Sequence, residues 1–194
     1  MTWLDTGSAR LGTCEPGELD EENQDTKDEE RLRIARKSES EEREGVMDAK
    51  SAEKIVGNLE NFGGIFSADQ LENVKILDLP VSLLVLDNHH WIAIFIEKKS
   101  LEIMDSAGFT TDESSSKHLL RFLCAHSYGK TLISTPQLQD ENSSDCGKYA
   151  TTFLCAKTYA DISLNSFAKI FSDNYNENSK IINDLFHTVC KLRL

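Results

Sequence analysis

Four short stretches stand in an order that limits how this chain can fold: His90-Trp91, Asp105, Gln139 and Cys146-Gly147. His90 opens a short run rich in Ile, Phe and Trp, residues 90–97, which reads as a buried strand. Asp105 closes a second run, residues 101–105, and Lys98-Lys99-Ser100 makes a tight connection between the two. Gln139 lies in a polar loop, residues 136–145. Cys146-Gly147 then leads into an apolar helical segment, residues 148–160, with Tyr149, Phe153 and Ala156 on one face. A hairpin built from the two runs carries Asp105 back alongside His90. The indices 90 and 105 sum to an odd number, as cross-strand partners do about a loop centred between residues 97 and 98.

These residue types suit thiol chemistry. A cysteine nucleophile needs a neighbouring base and gains from a helix N-terminus, which favours the thiolate. Ser143, Ser144 and Asp145 are all good helix caps just before Cys146. Gly147 removes a side chain where a substrate backbone would approach. Neighbours on a strand face opposite ways, so only one of His89 and His90 can reach a given thiol. The pattern favours His90, which Trp91 follows directly. Asp105 is then placed to accept the imidazole N–H and hold its tautomer. A loop glutamine amide can help the Cys146 backbone N–H stabilise an oxyanion. On composition alone Gln137 and Gln139 are equal candidates. Cys155 reads as a core residue, Cys124 and Cys190 fall on apolar helix faces, and His118, His126 and His187 read as surface or helix-end residues.

Composition sets the frame around that constellation. Residues 1–55 hold 16 acidic and 9 basic side chains and few large apolar ones. Residues 1–46 are therefore expected to form an acidic, disordered tail with a charged helix over about 28–44, ahead of one catalytic domain, residues 47–194. The five cysteines are odd in number and contain no C-x-x-C pair, which points away from a disulfide scaffold or zinc site and toward a reducing, intracellular compartment. A pI near 4.8 argues against a large nucleic-acid surface. No apolar stretch is long enough for a membrane span.

Along the rest of the chain, Ile55, Val56, Leu59 and Phe62 recur at helical spacing, with Gly63-Gly64 ending the helix. Ser67 and Gln70 stand as a capping box opening a short second helix. Residues 75–79 and 82–86 read as strands around Pro80, and Asp87-Asn88 as a turn. Residues 114–127 turn helical, 130–134 form a strand, and helices follow near 163–172 and 178–192. With no βαβ alternation in view, the class is α+β.

The ordered set His90-Trp91, Asp105-Ser-Ala-Gly-Phe109 and Gln139-Asp-Glu-Asn-Ser-Ser-Asp-Cys146-Gly147 resembles the adenovirus-type cysteine proteases (adenain). That family shares a structural clan with the SUMO-specific, ubiquitin-like proteases. Phe62-Gly-Gly-Ile-Phe-Ser67 resembles the segment before the histidine strand in that family, and the likeness runs over residues 58–160. It implies a papain-like, adenain-like α+β fold with a central, mostly antiparallel sheet flanked by helices and the nucleophile at the start of a buried helix. It gives Cys146 the nucleophile's role, His90 the base's, Asp105 the orienting acid's and Gln139, rather than Gln137, the oxyanion donor's. Trp91, Gly147 and Asn142 would meet the substrate, Trp91 as one wall of a narrow slot. The implied activity is a cysteine endopeptidase cutting near glycine, without cofactor or metal, on viral precursors or a ubiquitin-like protein. A monomer is expected, in nucleus, cytoplasm or virion. An isopeptidase for ubiquitin-like proteins and an inactive, protease-like binding module are the alternatives. Adenain joins an activating peptide through a second cysteine. The corresponding place here, near Tyr128, has none, although Cys124 is close.

Overall fold

The computed structural model describes residues 46–110 and 116–192. The chain divides between Glu44 and Gly45, and everything below concerns the second unit. The expected acidic tail and its helix lie outside the described residues.

The elements run α1 (Ala49–Val56), β1 (Phe62–Ser67), a 3₁₀ turn (Ala68–Asn73), β2 (Val81–Asp87), β3 (His90–Ile96), β4 (Ser100–Met104), α2 (Lys117–Ser127), β5 (Thr131–Ser134), α3 (Cys146–Ala160), α4 (Leu164–Ala168) and α5 (Tyr175–Lys191). The five strands form one sheet in sequence order, β1-β2-β3-β4-β5. β2, β3 and β4 pair antiparallel, while β1 joins β2 and β5 joins β4 in parallel. The class is α+β, as the sequence suggests, but the sheet is antiparallel only at its centre. The β4–α2–β5 passage is a βαβ crossover: its strand, helix and strand are all legible in the sequence, but the parallel pairing of β5 with β4 is not, since periodicity does not select a partner strand.

β3 is buried over Trp91–Ile96 on both faces, as expected of a strand covered from two sides. Trp91, Ala93 and Phe95 pack with Leu84, Met104 and the helix α3. Ile92, Ile94 and Ile96 pack with Leu83, Val85, Ile103 and the α2 residues Leu119, Phe122 and Leu123. α3 is the central helix: Tyr149, Ala150, Thr151, Thr152, Phe153, Leu154 and Cys155 are all buried, so it is enclosed on every side rather than amphipathic. Two inward aromatic contacts hold it, Phe153 edge-on to Phe167 and Tyr149 tilted against Phe171.

Local expectations fail at several places, each for a physical reason. The first helix stops at Val56 rather than running to Gly63. Asp48 caps it by accepting from the Ser51 N–H at 2.7 Å, and Leu59 is buried from the loop that follows. Phe62-Gly-Gly then forms β1, an edge strand, where a helix end was expected. Residues 75–79 are not a strand. They lead into β2, which starts at Val81. The capping box at Ser67 is real, with the Ser67 N–H donating to Gln70 Oε1 at 2.9 Å, but the turn it opens is 3₁₀. α2 is capped by Ser116 rather than opening near 114, and residues 111–115 lie outside the described set. Cys124, expected on an apolar face, is exposed.

Candidate active site

Asp87 and His90 pair across a two-residue turn, Asn88-His89, in which both residues have positive φ (47° and 68°). That is the primed geometry whose twist suits a tight hairpin. His89 is therefore an exposed turn residue, not a strand neighbour of His90. Only His90 begins the strand, so the choice between them is made by the turn rather than by alternation.

The β3–β4 register pairs Ala93 with Met104 and Ile96 with Leu101. The hairpin is thus centred one residue later than the sequence suggests, and Asp105, just past the end of β4, falls level with Ile92. The slip is two residues in the pairing, which keeps the side-chain faces unchanged. Asp105 still reaches the histidine: His90 Nε2 lies 2.7 Å from Asp105 Oδ1. The carboxylate is fixed in place. Its Oδ1 also accepts from the Ala107 N–H at 3.0 Å, and the Asp105 backbone exchanges hydrogen bonds with the Thr135 hydroxyl beyond β5, accepting from it and donating to it. Thr135 carried no signal in the sequence beyond being a polar residue after a strand.

Cys146 is the first residue of α3, as expected, and is only 5 % exposed. Asp145 precedes it at the cap position, yet its carboxylate does not cap the helix. It accepts from Lys148 Nζ at 2.7 Å, from Ser179 Oγ of α5 at 2.7 Å and from Ser143 Oγ at 3.2 Å. Lys148 also donates to Asn183 Oδ1 at 2.7 Å, so the start of α3 is tied to α5 by a polar network.

The electrostatics of the pair follow from this placement. Burial opposes charge on His90, but hydrogen bonds and attraction from Asp105 and Cys146 outweigh it and raise the imidazole from 6.5 to about 10. Burial likewise opposes a Cys146 thiolate. The His90 hydrogen bond, the Trp91 backbone N–H and the His90 charge outweigh it and hold the thiol below its ordinary 9.0. Both shifts favour the same state, a thiolate facing an imidazolium. With Nε2 committed to Asp105, Nδ1 is the ring nitrogen left for the sulfur.

Gln139 is 5 % exposed, whereas Gln137 is exposed and donates its amide to the Gln139 carbonyl at 3.0 Å. Gln139 Oε1 accepts from Ser106 Oγ at 2.9 Å, and Nε2 makes a loose 3.4 Å contact to the Ser143 carbonyl. Asn142 is exposed, with both its backbone and side-chain N–H groups turned to Asp140 Oδ1. Trp91 is 2 % exposed and donates its indole N–H to the Met47 carbonyl at 2.7 Å. A Cβ at Gly147 would stand 2.7 Å from Met47 Cβ and 3.1 Å from Trp91 Cδ1. Met47 thus packs beside Trp91 and against Gly147. Nothing in the sequence singled that residue out. No group of acidic, His or Cys side chains among the described residues could hold a metal, and no described helix is long and apolar enough to cross a membrane.

No family model and no curated protein matches the chain. Solved structures do resemble it. The ASFV pS273R protease aligns over 74 % of this chain and 67 % of its own, at 14 % identity and a TM-score of 0.48. The C-terminal Ulp1 protease domain in complex with Smt3, the yeast ortholog of SUMO, aligns over 74 % and 76 % at 16 % identity and 0.45. Ulp1 with its catalytic cysteine oxidised to a sulfinic acid aligns over 76 % and 78 % at 16 % identity and 0.44. Similarity at this level leaves the chemistry to be read from the chain's own residues.

Proposed function

We propose that this chain is a cysteine protease with Cys146 as nucleophile, His90 as acid and base, Asp105 as orienting group and Gln139 as oxyanion donor. The observation that carries the reading is His90, bonded at 2.7 Å to Asp105 and close enough to Cys146 at the start of α3 to lower its thiol. Three separate elements converge there, and a purely structural role needs none of them to be a thiol.

In the proposed cycle the Cys146 thiolate attacks the scissile carbonyl carbon. The carbonyl oxygen becomes an oxyanion beside the Gln139 amide and the Cys146 backbone N–H. His90 gives its Nδ1 proton to the departing amine as the C–N bond breaks, leaving a thioester. His90 then takes a proton from water, the hydroxide adds to the thioester, and the thiolate leaves, regenerating the ion pair. Asp105 keeps Nε2 protonated throughout and does not itself transfer the proton. Because a thiolate is open to oxidation, a reducing compartment suits this chemistry.

The narrow surroundings of Cys146, with Trp91 and Met47 close to Gly147, favour substrates with glycine next to the scissile bond. A C-terminal diglycine of a ubiquitin-like protein and a Gly-Gly site in a viral precursor both meet that demand. The test is a panel of Gly-Gly peptides beside SUMO and ubiquitin C-terminal fluorogenic substrates, with Cys146→Ala as control. Turnover of at least one substrate that vanishes in Cys146→Ala supports the reading. Turnover that survives the substitution, or none on any substrate with Cys146 reduced, overturns it.

A further inference from the structure

Gln139 can stabilise an oxyanion only if its NH₂, and not its carbonyl oxygen, faces the reacting centre. An amide side chain is nearly symmetric in shape, so packing alone does not select between the two orientations. Something must bond the oxygen. The structure places Ser106 there. It lies two residues beyond β4, directly after Asp105, and is only 1 % exposed. Its Oγ donates to Gln139 Oε1 at 2.9 Å. The Ser106 carbonyl accepts from the Leu138 N–H at 2.8 Å and the Gln139 N–H at 3.1 Å, so both ends of the glutamine are tied to one residue. On its other side the amide is held loosely: Nε2 has only the 3.4 Å contact to the Ser143 carbonyl, which leaves donor capacity for a ligand.

We propose that Ser106 is a positioning residue that fixes the orientation of the Gln139 amide and so sets the oxyanion site. The proposal rests on the reading of Gln139 as oxyanion donor. Ser106 touches no reacting atom. It follows Asp105 in sequence, so one short segment holds two functions: Asp105 orients the base and Ser106 orients the electrophilic amide. Losing the hydroxyl leaves Oε1 buried without a donor, and the amide then tilts or turns to find another.

The test is a double-mutant cycle on the full chain, read as kcat and KM on a cleaved peptide, with the rate of iodoacetamide alkylation of Cys146 measured alongside. Gln139→Ala should lower kcat about 100-fold or more. Ser106→Ala should lower kcat about 10- to 100-fold with KM little changed. Placed on Gln139→Ala, it should lower kcat no further. Alkylation, which forms no oxyanion, should proceed at the same rate in wild type and Ser106→Ala. Ser106→Cys adds little bulk and keeps a donor in place but weakens it, and should fall between wild type and Ser106→Ala. If Ser106→Ala does not fold, that variant carries the test alone. A Gln139→Ala that turns over normally overturns the oxyanion reading and this proposal with it. A damaging Gln139→Ala with additive losses, or with Ser106 variants at wild-type kcat, overturns only the role of Ser106. A slowed alkylation in Ser106→Ala would make Ser106 a general support of the site and also overturn it.

Discussion

His90 and Asp105 are hydrogen-bonded at 2.7 Å although they are not cross-strand partners, since the register sets Asp105 level with Ile92. The contact is made at the ends of two strands, where the carboxylate is free to lean along the sheet; the Ala107 N–H then holds its Oδ1, and Thr135 holds the Asp105 backbone. Such a contact orients the imidazole without requiring Asp105 to carry the proton.

The triad reading therefore grades its own variants. His90→Ala is expected to lower kcat/KM by at least 1,000-fold, and Asp105→Asn by less, because the acid sets orientation only. His89→Ala, in the exposed turn, is expected to cost no more than about 2-fold, apart from whatever the altered positive-φ turn does to stability. Steady-state kinetics at equal folded fraction check all three. A larger loss for His89 than for His90 would put the turn in the wrong place.

The pH dependence follows from the directions of the two shifts. The Cys146 thiol is lowered, so the reactive thiolate is kept to pH values below the ordinary 9.0 and is lost on acidification through its folded value. The His90 imidazolium is raised, so it persists above 6.5 and is lost on alkalinisation through about 10. A kcat/KM profile should show its acid limb below the free-thiol value and its alkaline limb well above that of a free histidine. Asp105→Asn removes one of the groups holding His90 charged, so the alkaline limb should move down. Iodoacetamide labelling against pH should show Cys146 reacting near neutrality. A thiol that labels only above pH 9 would mean that no ion pair forms.

Gly147 is packed against Met47 from outside its own helix, which makes it a site of steric constraint. Gly147→Ala is expected to destabilise by about 1–3 kcal/mol, since Met47 Cβ would stand 2.7 Å from the new methyl. That corresponds to a fall in Tm of roughly 2–12 °C for a domain of this size. Met47→Gly in the same chain should restore part of the loss. Thermal melts of the two single variants and the double give the coupling. Simple additivity would show that the clash is relieved elsewhere.

The Asp145 carboxylate offers a measurement of stability independent of turnover. Burial raises its affinity for a proton, but Lys148, Ser179 and Ser143 outweigh that and hold it below 3.8. A depressed acid contributes stability that is present above the unfolded value and is lost as pH falls through the folded one. Ser179→Ala removes one of its donors and is expected to cost about 0.5–2 kcal/mol at pH 7 and less at pH 3. Urea melts at the two pH values give the difference. An equal cost at both would show that Ser179 acts by packing rather than through the charge.

Sequence alone determined the parts that depend on spacing along the chain. The apolar run after His90, the tight Lys98-Lys99-Ser100 connection and Cys146 at a helix start are local patterns, and local patterns are set by backbone propensity and side-chain period. The faces of the β3–β4 hairpin were legible for the same reason, since a two-residue error in register leaves the period unchanged. Tertiary structure decided what spacing cannot carry. The edge strands β1 and β5 pair in parallel because β2 and β4 offer open ladders. Phe62-Gly-Gly has too little period of its own to announce a strand, and the run near residues 130–134, although it reads as a strand, does not reveal its partner. Met47 reaches Trp91 across 44 positions, Ser106 reaches Gln139 across 33, and Ser179 reaches Asp145 across 34. Each of those contacts joins a polar atom to a partner chosen by the packing of whole elements, and such a choice leaves no mark on either segment alone. The identity of the proposed reacting groups is thus written locally, and the positions of the groups that hold them are fixed only when the sheet and α3 close on one another.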